Sequence, residues 1–119
     1  MSKVEFHFEI ALMSLLCNHP NVIDFTGYCD SPTYSIVMKM CRYSLHQVIF
    51  SKTELEVRLI LKLAYEIACG MAFIHQQEVL HLDLKPGNIL IDESGDDADR
   101  MIAKITDFGF ATPIGNMNR

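Results

Sequence analysis

The feature that most constrains this chain is an apolar stripe at three- and four-residue spacing: Leu55, Leu59, Leu63, Ile67, Met71 and Ile74. That spacing puts one whole face of an α-helix in apolar contact. Val57, Ile60, Leu61, Ala64, Ala68 and Phe73 fill most of the remaining circumference. A helix that is apolar nearly all round is a buried one, so the pattern predicts a long helix over 55–74 covered on several sides. Thr53, with Glu56 three residues on, reads as the capping box that opens it.

The rest of the chain has to supply the cover. From Lys3 to Cys17, Phe8, Leu12, Leu15 and Leu16 recur at helical intervals, and Asn18-His19-Pro20 ends the run because proline disfavours a helical residue before it. Val22 to Cys29 and Tyr34 to Met40 are β-branched and aromatic stretches about the turn signal Asp30-Ser31-Pro32, which predicts an antiparallel pair. Ser44 to Phe50 reads as a short helix. After His75 the pattern changes to the short runs Val79-Leu80, Ile89 to Ile91 and Met101 to Ile105, read as strands separated by loops. The acidic stretch Asp92 to Arg100 reads as a solvated hairpin extension, and the tail from Ala111 shows no period.

At 119 residues, with half of them hydrophobic and no biased tract or repeat, the chain is one domain at most and should bury a core. The net charge of −5 carries no footprint for nucleic acid or anionic lipid. Five acids and no base lie between Asp92 and Asp99, and the remainder balances at ten against ten. No apolar run approaches the roughly 20 residues of a membrane span. Glu5 and Glu9 interrupt the place where a secretory signal needs an apolar core, so a cytoplasmic setting is expected. Cys17, Cys29, Cys41 and Cys69 are widely spaced with no CxxC pair, which reads as free thiols rather than a zinc site or disulfide framework.

The chemistry concentrates in His81-Leu82-Asp83-Leu84-Lys85-Pro86-Gly87-Asn88-Ile89-Leu90, followed nineteen residues after Asn88 by Asp107-Phe108-Gly109. Here the sequence resembles the eukaryotic protein kinases, whose H-x-D-L-K-P-x-N-I-L and D-F-G segments come in this order beside short strands. The resemblance implies an α+β bilobal kinase core, with residues 1–38 in the small lobe, 39–43 as hinge and 44–119 in the large lobe up to the start of the activation loop. It implies transfer of the ATP γ-phosphoryl to a protein hydroxyl, a reaction whose loose transition state needs positioned charge more than covalent chemistry. Asp83 then accepts or orients the substrate hydroxyl proton, and Lys85 offers an ammonium to the transferring phosphate. Asn88 and Asp107 supply hard oxygen ligands for Mg²⁺. His81 is scaffold, not a base. The Lys-Pro-x-Asn form resembles the serine/threonine kinases, since tyrosine kinases usually carry Ala-Arg or Arg-Ala there. Leu82 stands where most of the family has an arginine that pairs with a phosphorylated activation loop, so that switch is expected to be absent.

The resemblance continues upstream. Phe8 to Met13 and His19 to Ile23 look like the regulatory helix and its exit turn, with Glu9 as the partner of a strand lysine. Ile36 to Cys41 resembles the strand and hinge that frame adenine: Met38 is the gatekeeper, Lys39, Met40 and Cys41 follow it, and Leu90 lies under the ring. Met13, Phe25, His81 and Phe108 match the spine that packs in active members.

The resemblance runs through the whole chain but spans less than half of that family's domain. No G-x-G-x-x-G loop or V-A-I-K lysine is present, Lys3 lies too close to Glu9 to replace that lysine, and ten residues follow Gly109. The chain is therefore expected to be a kinase fragment, inactive and marginally stable or aggregation-prone in isolation. The alternative is a complete product, catalytically dead, that acts by pairing with a kinase-like partner chain.

Overall fold

The computed structural model describes residues 2–51, 54–93 and 100–115. Along the chain run α1 (Lys3–Leu16), β1 (Phe25–Cys29), β2 (Ser35–Met38), β3 (Tyr43–Ser44), α2 (Leu45–Ile49), α3 (Val57–Gln76), β4 (Val79–Leu80), a 3₁₀ turn (Pro86–Asn88), β5 (Ile89–Glu93), β6 (Met101–Ile105) and β7 (Thr112–Pro113). Helices and small antiparallel sheets make this an α+β chain, as the sequence predicts.

Helix α1 opens where the Ser2 hydroxyl accepts the Glu5 N–H at 3.0 Å and closes at Cys17, just before the proline turn. Its buried face is Phe6, Ile10, Leu12, Met13 and Leu16, whereas Phe8 and Leu15 of the predicted stripe are exposed. The β1–β2 hairpin selects that face, because Tyr34 stacks on Phe6 at 4.7 Å between ring centroids and Tyr28 meets it edge-on at 6.0 Å. The hairpin is antiparallel, with Tyr28 opposite Ile36 and an irregularity between Phe25 and Gly27.

A capping box does occur, but at α2. The Gln47 N–H donates to the Ser44 hydroxyl at 3.2 Å and the Gln47 side chain accepts the Ser44 N–H at 2.8 Å. Helix α3 starts at Val57 with Glu56 as an N-cap that makes no side-chain bond, so the helix begins later than predicted. Thr53 of the predicted box lies outside the described residues.

Strand β5 is the middle of the β3–β5–β6 sheet and pairs with β6 from Ile89 opposite Ile105 to Glu93 opposite Met101. Five groups along the outer edge of β6 find partners outside the sheet. Lys62 of α3 donates to the Met101 carbonyl and Glu66 accepts the Ala103 N–H at 3.0 Å. Asn21 donates its side-chain amide to the Ala103 carbonyl at 3.0 Å and accepts the Ile105 N–H at 2.9 Å. Ile23 N–H then takes the Ile105 carbonyl at 3.0 Å. Helix side chains and one extended segment thus stand where a fourth strand would.

Leu12, Leu16, Ile23, Leu63, Ile74, Ile91 and Ile105 belong to one core that joins α1, α3 and the β5–β6 ladder. Helix α3 takes part through buried Leu59, Leu63 and Ile74, with Ile67, Met71 and Phe73 packed half-buried beside them. Val57, Leu61 and Tyr65 are 70%, 64% and 72% exposed, and the described residues do not cover them as the all-round apolar pattern predicts. A contiguous apolar face of this kind drives association. The 119-residue chain on its own is expected to self-associate in sedimentation velocity, with Leu61→Glu shifting it toward monomer. A sharp monomer boundary for the unsubstituted chain would refute this. Among the described residues no helix is long and apolar enough to cross a membrane.

Candidate active site

Two loops converge at one end of the β5–β6 ladder. The first joins β4 to β5 and holds Leu82 at φ 66°; the second follows β6 and holds Asp107 at φ 65°. Left-handed backbone at residues other than glycine is uncommon and persists only where the surroundings impose it. His81 supplies part of that constraint. It is 1% exposed, its Nδ1 accepts the Asp83 N–H at 3.2 Å, and its Nε2 donates to the Thr106 carbonyl at 2.9 Å. Accepting at Nδ1 fixes the neutral tautomer with its proton on Nε2. Both ring nitrogens are engaged in bridging the two loops, so His81 is scaffold.

Asn88, 7% exposed, organises the first loop. Its amide nitrogen donates to the Asp83 carbonyl at 2.9 Å and to Asp83 Oδ2 at 3.0 Å. Lys85 Nζ lies 3.9 Å from the other carboxylate oxygen, with the lysine side chain 60% exposed and that of Asp83 24% exposed. The Asn88 carbonyl accepts the Thr106 N–H at 2.9 Å, which brings the loop within one residue of Asp107. Asp107 Oδ1 accepts the Gly109 N–H at 3.1 Å, and buried Phe108 sets its ring edge-on to His81 at 5.2 Å. Met13 and Phe108 share the buried core, and Phe25 packs against it.

Glu9 of α1 lies within electrostatic reach of the second loop. Partial burial pushes its carboxyl above the usual carboxylate range, and the charge of Asp107 adds to that rise. Met38 meets Thr106, whose hydroxyl is 3.7 Å from the methionine sulfur. Lys39 N–H donates to the Asp24 carbonyl at 2.9 Å, Met40 is 91% exposed, and Cys41 and Leu90 pack half-buried against the core. Burial raises the Cys41 thiol, with the Asp92 carboxylate the next cause.

The structure therefore brings Asp83, Lys85 and Asn88 together and bonds their loop to the residue before Asp107, with Glu9 in electrostatic reach of Asp107 and Met38 against Thr106. Sequence reasoning missed Thr106, which contacts Met38, Asn88 and His81. It also missed Asp24, Asp92 and Lys104, although a lysine within the apolar run Met101–Ile105 is a legible signal. Asp92, read as part of a solvated extension, lies instead in β5 and pairs with Lys39 at 2.7 Å. Residues 94–99 of that extension lie outside the described residues.

For a metal, the Asn88 side-chain nitrogen is already engaged, which leaves its side-chain oxygen Oδ1 as acceptor, and of the Asp107 carboxylate it is Oδ1 that accepts the Gly109 N–H, with Oδ2 the second oxygen donor. Hard oxygen donors of this kind fit Mg²⁺. Among the described residues no cluster of three or more His, Cys, Asp or Glu could hold a metal by itself. A cation here would take its remaining ligands from water and phosphate oxygens.

An Asp-Lys-Asn network on one loop is thus hydrogen-bonded to a second loop that bears Asp-Phe-Gly. The protein kinase domain family matches residues 2–119, and the chain belongs to that family. It is 35% identical over 109 residues to the serine/threonine/tyrosine-protein kinase HT1 of Arabidopsis thaliana, covering 88% of this chain and 26% of that protein. It is 40% identical over 112 residues to the putative serine/threonine-protein kinase/receptor R818 of Acanthamoeba polyphaga mimivirus, covering 91% and 6% respectively. A third relative, the mitogen-activated protein kinase kinase kinase dlk-1 of Caenorhabditis elegans, is 43% identical over 93 residues, covering 76% and 9%. The chain spans between 6% and 26% of the length of these relatives.

Proposed function

We propose that this chain carries the catalytic loop and part of the nucleotide site of a serine/threonine protein kinase, which transfers the γ-phosphoryl of ATP to protein Ser or Thr hydroxyls. The observation that carries the reading is the convergence of Asn88 and Lys85 on the two oxygens of Asp83, in a loop bonded to the residue before Asp107. Asp83 orients the substrate hydroxyl and accepts its proton, held in place by the Asn88 amide. Lys85 offers positive charge where the transferring phosphoryl passes. Asn88 and Asp107 hold Mg²⁺, which when bound neutralises charge on the nucleotide phosphates. Residues 1–38 form the small-lobe part, 39–43 the hinge and 44–119 the large-lobe part. The backbone of Lys39, Met40 and Cys41 follows the adenine edge, with Met38 behind the ring and Leu90 beneath it. Glu9 is the ion-pair partner of a strand lysine.

The Lys85-Pro86-Gly87-Asn88 segment supports Ser/Thr preference, although one relative is named for tyrosine as well. The test is transfer from γ-labelled ATP by the native gene product, followed by phosphoamino-acid analysis. Phosphoserine and phosphothreonine are expected. Phosphotyrosine alone would overturn the specificity, and nucleotide binding without transfer would favour a catalytically dead partner of another kinase-like chain.

A further inference from the structure

Two ion pairs of opposite sense join the β1–β2 hairpin to the β5–β6 ladder. Lys39, just past the end of β2, places Nζ 2.7 Å from Asp92 Oδ2 on β5. Asp24, just ahead of β1, places Oδ2 3.6 Å from Lys104 Nζ on β6. The Lys39 N–H donates to the Asp24 carbonyl at 2.9 Å, which ties the two hairpin charges together. Lys104 sits opposite Leu90 in the ladder register, and Asp92 is two residues beyond Leu90 on the same strand. Alternation puts Leu90, Asp92 and Lys104 on one face. The ladder charges therefore bracket Leu90.

Each pair joins a shielded charge to an exposed one. The side chains of Lys104 and Asp92 are 8% and 14% exposed, and those of Asp24 and Lys39 are 53% and 45% exposed. A shielded charge that loses its partner is costly, unlike one on an open surface. The crossed polarity adds direction: a slip of the hairpin toward β6 would bring Lys39 toward Lys104, and a slip toward β5 would bring Asp24 toward Asp92, like toward like in either case.

We propose that Asp24, Lys39, Asp92 and Lys104 form an electrostatic clasp that sets the angle of the β1–β2 hairpin on the β5–β6 ladder. They thereby set how the Met38–Cys41 segment is placed relative to Leu90. They act as positioning residues and do not touch reacting atoms. The consequence for nucleotide rests on the function proposed above; the clasp itself does not.

The test is a charge swap in the native gene product, read by amide hydrogen exchange in β1–β2 and by nucleotide KM against kcat. Asp92→Lys alone is expected to speed exchange at Phe25–Met38 and to raise the nucleotide KM, each by roughly fivefold as for a contacting pair, with a smaller effect on kcat. Adding Lys39→Asp restores both. Lys39→Met, at an exposed position that does not threaten folding, moves both in the same direction by less. Additive rather than compensating effects of the swap, or unchanged exchange, would overturn the clasp even if the protein transfers phosphoryl groups. Exchange that responds and recovers in a protein that binds no nucleotide would uphold the clasp and reject its nucleotide role together with the proposed function.

Discussion

Asp83→Asn is expected to lower phosphoryl transfer by about 10²- to 10⁴-fold, the range for a positioned general base. The substitution separates chemistry from architecture. An asparagine keeps the shape of the side chain and an oxygen that can accept from the Asn88 amide, now 3.0 Å from Oδ2, so the loop should stay closed. It loses the negative charge that Lys85 faces at 3.9 Å and the ability to take a proton. The loss should therefore fall on kcat, with nucleotide affinity unchanged in isothermal titration. Asp83→Ala would also remove the Oδ2 acceptor of Asn88, a residue proposed to hold Mg²⁺, and should weaken nucleotide binding as well. Unchanged transfer by the asparagine variant would remove Asp83 from the reaction.

Gly70→Ala sets two effects of opposite sign against each other. Alanine in a helix interior is ordinarily worth about 0.5–1 kcal/mol over glycine. Here a Cβ would lie 2.8 Å from the Asn21 carbonyl oxygen and 2.8 Å from Ile105 Cδ1. The carbonyl cannot retreat cheaply, because it accepts the Ile105 N–H at 2.9 Å and anchors the β6 edge. Overpacking of this kind costs about 1–3 kcal/mol, so the steric term wins. The expected net loss is about 1–2 kcal/mol, or near 1 M in a urea midpoint. It is best measured by urea unfolding in the Leu61→Glu background to suppress association. A variant as stable as its parent would show that α3 and β6 are not held at the separation described.

Much of this was readable from residue types. Strands β1, β2, β4, β5 and β6 and helices α1 and α3 lie where spacing and turn residues put them, because each carries a local pattern long enough to choose a period. Helix α1 was placed but not oriented. Phe6, Phe8, Ile10, Leu12, Met13, Leu15 and Leu16 offer more than one helical face, and contact with Tyr28 and Tyr34 decides between them. Strands β3 and β7 are two residues each and depend on partners distant in sequence, Ile91 opposite Tyr43 and Val79 opposite Pro113, so no local pattern could reveal them. The Ser44-to-Gln47 box was legible as a spacing, yet the similar Thr53-to-Glu56 spacing drew the helix start too early. At the site, a short contiguous motif supplied Asp83, Lys85 and Asn88. Thr106 and Lys104 owe their importance to register and approach, which sequence spacing does not encode.

The bonding along the outer side of β6 also limits how other chains can attach. A partner that binds by strand addition needs a row of vacant N–H and C=O groups. Lys62, Glu66, Asn21 and Ile23 already occupy those groups at Met101, Ala103 and Ile105. No incoming peptide can extend the sheet from that side without first displacing α3 side chains. The strand that delivers Asp107 is thus insulated from being re-registered by a docked β-segment.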